Sequence, residues 1–281
     1  GNYVHALDVV AEELRGEIGA FDRLGEAEMA TALRERHGVA LEIGETHSGL
    51  LRHYDESAKE LFINAATPPE SRRFLIALQL MRLSASTIIE DVVKSAALQV
   101  PGADRLLEVG LANYAAGALM MPYASFRKAA REVRHDIDRL SRQFGVSFEQ
   151  ACHRLSTLQR PGMRGIPFFF CRVDMAGNIT KRHSATRLQF ARFGGACPLW
   201  IVHEAVAIPD RIVTQLGETP DGVRYVSMAK GLVKPSGSYS RLPRRYAVAL
   251  GCEIEHAANF IYADGMQLHD EAAATPIGVT C

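Results

Sequence analysis

The sequence predicts an α+β protein whose first half is mainly helical with a small antiparallel sheet and whose second half mixes shorter strands and helices. Three observations carry this. Apolar residues recur at helical spacing through most of residues 3–158. Extended runs at Val39–Ile43 and Leu61–Asn64, with Leu50–Tyr54 as a third candidate, interrupt that pattern once. After Arg160-Pro161-Gly162, glycine, proline and aromatic residues become frequent and the helical period gives way to strand-like runs. The expected domains are residues 1–160 and 161–281.

The elements follow in order. Val4, Leu7, Val10 and Leu14 fall on one helix face, and Met29 and Leu33 resume the pattern after a break at Gly19. Gly38 closes this region. Beyond the extended runs, Thr67-Pro68-Pro69-Glu70 starts a helix, because proline suits the first turn and an acid suits the positive dipole end. The helix within residues 70–96 is apolar on nearly every side, at Phe74, Leu75, Ile76, Ala77, Leu78, Leu80 and Met81, as a core helix is. A second runs from Asp104 to Met121-Pro122, and a third from Tyr123 to Phe144. Ser147-x-x-Gln150 forms a capping box for a last helix ending near Leu158. Phe168, Phe169, Phe170, Cys171 and Val173 form a buried strand, Asp174–Asn178 a turn, and Ile179 opens a second strand.

Composition narrows the function. Hydrophobic residues make up 47% of the chain and charged residues 23%, values of a globular rather than a disordered protein. Lys plus Arg and Asp plus Glu stand at 32 each, so the basic excess that grips a nucleic-acid backbone is missing. Local basic clusters remain, which suit an anionic small molecule. Cys152, Cys171, Cys197, Cys252 and Cys281 show no C-x-x-C pairing and read as reduced thiols of a cytosolic protein. No apolar run reaches the roughly 18 residues of a membrane span, and Gly1-Asn2-Tyr3 opens nothing like a signal peptide. Both ends are abrupt, so a longer parent chain is expected.

Three local features invite a chemical reading. Phe144-Gly145-Val146-Ser147 sits between two helices like the turn of a helix-turn-helix. The helix beyond it offers Glu149 with Gln150, His153 and Arg154, and an acid there opposes phosphate, so a packed helical hairpin is the better account. Gly194-Gly195 lacks the following Lys-Ser/Thr of a phosphate loop and reads as a tight turn. His203 and Glu204, beside Trp200, pair an acid with a base but have no nucleophile pattern nearby, and read as structural.

The stretch Arg73-Phe74-Leu75-Ile76-Ala77-Leu78-Gln79-Leu80-Met81-Arg82 resembles the active-site helix of the ImmA/IrrE-type metallopeptidases, and Leu111 to Met121-Pro122 resembles that family's following helix. An H-E-x-x-H helix holds zinc between imidazoles at i and i+4 and uses the intervening glutamate to activate water. Registering Phe74 and Ala77 with the family puts Leu78 and Arg82 at the histidine positions and Gln79 at the glutamate. Leucine has no lone pair, an amide is not a base, and a guanidinium repels a metal. The acidic third ligand, due just before Ala112-Asn113, meets Val109, Gly110 and Leu111, with Glu108 nearby but poorly placed. The resemblance implies a zinc-free scaffold with no catalytic residues and an apolar hole at the former metal pocket.

A longer resemblance covers nearly the whole chain. His153 through Phe170, Gly177-Asn178, Lys181-Arg182-His183-Ser184-Ala185, Gly194 through Trp200, Leu250-Gly251-Cys252-Glu253 and Pro276 through Cys281 are similar, in that order, to the short-chain fatty acyl-CoA regulators, of the propionate or glyoxylate type. The resemblance implies a bacterial transcription regulator built as a dead peptidase-like domain and a C-terminal domain of its own. It further implies DNA contact through an N-terminal helix-turn-helix outside this chain, a homodimer, and a short-chain acyl-CoA as effector. Coenzyme A needs several cations for its phosphates and an apolar surface for adenine and acyl tail. Arg154, Arg160, Arg164, Lys181, Arg182 and Ser184 suit the first; Tyr114, Phe168, Phe170 and the pocket at Leu78 and Arg82 suit the second. In that family Cys281 opens a cysteine-rich run implied to bind a [4Fe–4S] cluster, with Cys252 a further candidate ligand; two cysteines fall short of a four-thiolate set, so no tightly bound cofactor is expected here. The alternatives are a divergent zinc metallopeptidase and a non-catalytic interaction module.

Overall fold

The computed structural model describes residues 3–19, 23–45, 50–188, 196–234 and 242–278. The chain divides into two compact units. One comprises Val4–Lys128 and Asp138–Gln150; the other comprises Gly1–Tyr3, Ala129–Ile137 and Ala151–Cys281.

The first unit begins with α1 (His5–Ile18) and α2 (Glu26–His37), which stops at Gly38, in the left-handed region at φ 67°. There a side chain would be strained, and the glycine N–H reaches back to the carbonyls of Arg34 and Leu33. Three short strands follow: β1 (Ala40–Gly44), β2 (Arg52–Asp55) and β3 (Glu60–Asn64). Their order is β1-β3-β2, with β3 antiparallel to β2 and parallel to β1. The small sheet is thus mixed rather than wholly antiparallel, because β2 takes the far edge and β3 returns between its two predecessors. Leu61 and Ile63 of β3 are fully buried.

The core of this unit is α3 (Pro69–Ser84) packed on α5 (Ala103–Met120), with α1 on α5. Leu7, Leu33, Ile76, Leu80, Ala115 and Leu119 are fully buried there. The predicted helix start at Pro68-Pro69 is realised. The remainder of the expected 70–96 helix is interrupted at Ala85, after which α4 (Ser86–Ala96) begins. The expected helix over 123–144 also divides, into α6 (Tyr123–Glu132) and α7 (Ile137–Phe144). Arg134 and His135 between them adopt φ 49° and 60°. Neither glycine nor proline marks the break; tertiary bonds hold it, from His135 Nδ1 to the Asn259 carbonyl at 2.8 Å and from Arg134 to Asp264 at 2.6 Å. The capping box of α8 (Phe148–Ser156) is present in both directions, Ser147 N–H to Gln150 Oε1 at 2.8 Å and Gln150 N–H to Ser147 Oγ at 3.2 Å.

The second unit is organised by a six-stranded sheet, in order β5-β4-β8-β7-β6-β9. Its members are β4 (Phe169–Asp174), β5 (Ile179–Ser184), β6 (Ile212–Glu218), β7 (Arg224–Lys234), β8 (Arg244–Glu253) and β9 (Thr275–Pro276), with α9 (Val202–Ala207) between β5 and β6. The strands β7 and β8 run to 11 and 10 residues, longer than the short elements expected. They are buried on both sides, which hides the alternation that marks a half-buried strand. One face carries Phe169, Cys171, Val173, Tyr225, Ala247 and Ala249 beneath Trp200 and α9. Phe170, Val226, Met228, Val248, Leu250 and Cys252 are buried on the other. No helix among the described residues is long and apolar enough to cross a membrane.

Two glycines test this packing in opposite directions. A Cβ at Gly251 of β8 would lie 2.5 Å from Phe169 Cζ and 2.7 Å from the Val226 carbonyl, whereas one at Gly117 of α5 meets nothing within 4 Å. Gly251→Ala is expected to cost about 1–3 kcal/mol of stability. Gly117→Ala is expected to add roughly 0.5–1 kcal/mol by restricting the unfolded chain. Urea unfolding of both variants measures each.

Candidate functional site

The predicted ligand residues divide between the two units. Leu78, Arg82 and Tyr114 belong to the first; Arg154, Arg160, Arg164, Phe168, Phe170, Lys181, Arg182 and Ser184 belong to the second.

In the first unit, the helical period sets the positions that matter. Gln79 of α3 is 2% exposed, Leu78 is half-buried, and Arg82 lies one turn on. Two contacts occupy the polar groups. The Gln79 Oε1 accepts a hydrogen bond from Arg52 Nη2 on β2, and Arg82 Nη2 meets Glu108 Oε1 of α5 at 3.0 Å. The Arg82–Glu108 pair is 40% and 45% exposed, so it contributes at most about 1 kcal/mol. The ion pair and the arginine–amide hydrogen bond engage Arg82 and Gln79, two of the positions that the resemblance aligns with the peptidase ligands and base. Among the described residues no group of three His, Cys, Asp or Glu side chains is assembled to hold a metal.

Arg52 was not visible as a functional residue in the sequence. The only available signal was register. Arg52 and Tyr54 pair with Ile63 and Leu61, whose side chains are buried, so these two face the core while His53 and Asp55 face away. Burial and the neighbouring Arg82 guanidinium lower the Arg52 pKa. Tyr114 is 9% exposed and engaged locally: its hydroxyl donates to the Asp8 carboxylate and accepts the Val4 N–H at 3.1 Å.

In the second unit, strand parity separates residues adjacent in sequence. The β4–β5 register pairs Phe170 with His183 and Arg172 with Lys181, and pairs Phe169 with Ser184 and Cys171 with Arg182. Lys181 therefore shares a face with Phe170, its ammonium 5.9 Å from the ring centroid, while Arg182 and Ser184 take the opposite face. The basic run read as one cluster is in fact two. Ser184 Oγ is bonded to Thr186, and Arg182 and Arg164 are exposed. Arg154 is 2% exposed and donates to Thr157 Oγ1 at 3.4 Å; Arg160 donates to the Tyr3 hydroxyl at 2.9 Å. Phe168 packs against His135 and Phe260.

The face with Lys181 and Phe170 carries a pair the sequence did not suggest. His153 Nε2 of α8 and His183 Nε2 of β5 lie 3.1 Å apart, and both rings pack on Phe170. Burial, then Lys181, pushes both imidazoles down, His153 well below its ordinary value and His183 to about 4. The pair is neutral at neutral pH, one ring donating to the other.

Among the described residues, Cys152, Cys171 and Cys252 are buried and stand outside any disulfide. Burial pushes the Cys171 and Cys252 thiols up to about 12, so both are protonated thiols. Cys197 is disulfide-bonded, which corrects the expectation of five reduced thiols. Cys281 and Gly194-Gly195 lie outside the described residues. His203 Nε2 is 3.1 Å from the Cys197 carbonyl and 3.3 Å from that of Ala196, a loop-pinning role with no acid/base partner in Glu204.

The helical unit and the sheet unit each have a counterpart among known families. Residues 34–156 match the model of the IrrE N-terminal-like domain, and residues 157–281 match that of the short-chain fatty acyl coenzyme A regulator C-terminal domain. A propionyl-CoA carboxylase regulator of Cereibacter sphaeroides is 47% identical over 280 residues, and the transcriptional regulator PrpR of Mycobacterium tuberculosis is 42% identical over 281. All of this chain is covered in both cases, against 59% and 58% of those relatives, so it spans about three-fifths of their length. A solved Mycobacterium tuberculosis transcriptional regulator superposes with a TM-score of 0.94 at 43% identity, covering 100% of this chain and 85% of that one. The chain belongs to the short-chain fatty acyl-CoA regulator family.

The histidine pair makes stability depend on acidity. Both folded pKa values lie below the unfolded value of 6.5, so the unfolded chain takes up protons first as pH falls. The contribution is intact above pH 6.5 and is lost towards pH 4. On the order of 2 kcal/mol should disappear between pH 7 and pH 5. Urea unfolding at both pH values should show a markedly smaller loss in His153→Gln/His183→Gln.

Proposed function

We propose that this chain is the effector-sensing region of a bacterial transcription regulator of short-chain fatty-acid metabolism, and that the effector is a short-chain acyl-CoA such as propionyl-CoA or acetyl-CoA. The observation that carries the reading is the rebuilt centre on α3. The peptidase scaffold is kept, but Leu78, Gln79 and Arg82 replace its ligands and base, and the polar ones are bound to Arg52 and Glu108. A scaffold kept without its chemistry suits binding rather than turnover. The relatives' names, one of them citing propionyl-CoA carboxylase, support the metabolic assignment. Lys181, with its ammonium 5.9 Å from the Phe170 ring, offers a cation beside an apolar surface, the pair of features a coenzyme A ester requires.

On this reading DNA is contacted by a helix-turn-helix outside the chain, the protein acts as a homodimer, and no cofactor is held tightly by these residues. A divergent zinc peptidase is the competing reading, and one experiment separates the two. Native mass spectrometry with propionyl-CoA, acetyl-CoA and free propionate should show one acyl-CoA per chain and no metal. A stoichiometric zinc ion, or a bare chain under every condition, overturns the proposal. A ligand present at a hundredfold excess over its dissociation constant should stabilise the fold by about 2.7 kcal/mol. The double variant Lys181→Ala/Arg182→Ala should weaken binding more at low salt than at high salt, read by calorimetry at two ionic strengths.

A further inference from the structure

The small sheet of the first unit holds an unmet demand for negative charge. Arg52 and Tyr54 lie on one face of β2, about 7 Å apart along the strand, on the side where Leu61 and Ile63 are buried. Arg52 Nε and the Tyr54 hydroxyl are shut off from solvent and neither has a hydrogen-bond partner among the described residues. Among the described residues Arg52 donates only to the neutral amide of Gln79, and the charge beside it is another guanidinium, Arg82, which is already matched by Glu108.

A buried water would satisfy the hydroxyl but leave the guanidinium charge uncompensated. A half-buried cation bonded to an amide and facing a second cation is disfavoured until an anion joins it. A guanidinium also presents parallel N–H donors that match a carboxylate or phosphate. A phenol hydroxyl adds a neutral donor, which grips an oxygen without adding charge.

We infer that Arg52 and Tyr54, beside Gln79 on α3, form a binding site for an oxyanion of a small ligand, a carboxylate or a phosphate group. The site deepens the sensor reading but does not depend on coenzyme A being the effector. It converts the place of a lost metal into one that receives negative charge directly.

The test is calorimetric titration of the protein, Arg52→Gln and Tyr54→Phe with propionate, succinate, inorganic phosphate and propionyl-CoA. At least one of these should bind, with affinity reduced tenfold or more in Arg52→Gln and several-fold in Tyr54→Phe. Binding of propionate or succinate identifies a carboxylate as the source, and binding of phosphate identifies a phosphate. Tyr54→Phe removes only an unbonded hydroxyl, so it is expected to fold and to carry the test if Arg52→Gln does not. Propionyl-CoA bound equally by all three proteins, with no small oxyanion bound, overturns this inference and leaves the acyl-CoA reading standing. Propionate bound through Arg52 with propionyl-CoA ignored does the reverse. No binding of any probe overturns both.

Discussion

A β-strand turns successive side chains to opposite faces, and in two short strands that constraint decides which charged side chains share a face. In β2 it sends Arg52 and Tyr54 inward to α3 and leaves His53 and Asp55 outside. In β5 it sends Lys181 and His183 to the side of Phe170 and parts them from Arg182 and Ser184. A shift of one residue in either register would exchange the sets, and the buried partners, Leu61 and Ile63 in one case and Phe170 in the other, are what fix the register.

The two faces solve the burial of charge differently. Around Gln79 a guanidinium is kept charged in a half-buried setting with a neutral acceptor and no counter-ion among the described residues. Around Phe170 the imidazoles shed their protons instead, because burial and Lys181 make the second and third positive charges too costly. Arginine cannot take that route, since its pKa stays far above neutrality even when lowered. The difference in side-chain chemistry explains why one cluster settles as a neutral pair and the other retains an electrostatic demand.

The sequence was most legible where structure is local. Pro68-Pro69, the Ser147–Gln150 box and the Gly38 stop each act through the backbone of their own turn, and each appears as read. That Leu78, Gln79 and Arg82 share one helix was also legible, because their spacing is fixed within α3. The break at Arg134-His135 was not, since its cause is a set of bonds to Asn259 and Asp264, more than a hundred residues away. The same holds for His153 and His183, which become neighbours only when α8 meets β5, and for Arg52, whose role needs the β2–β3 register and the position of Gln79 together. Lys181-Arg182 erred in the opposite sense: adjacency in sequence suggested one cluster, and the strand period separated it.

Loss of a metal site need not return a pocket to neutrality. Replacing two histidines by leucine and arginine removes a cation's ligands and adds a cation of the protein's own, while glutamine in place of glutamate removes an anion. Relative to the resembled active-site motif, these replacements make the α3 positions more basic, and Arg52 adds to that sense while Glu108 offsets only Arg82. A peptidase centre holds its metal through acids and neutral imidazoles and polarises a substrate oxygen with it. The proposed oxyanion site would keep the preference for an oxygen atom but supply it through guanidinium and hydroxyl donors, which, unlike a metal, do not activate a bound water. On the proposed sensor reading, affinity for negatively charged oxygen would survive the loss of the hydrolytic apparatus, the property a metabolite sensor requires of an inherited cleft.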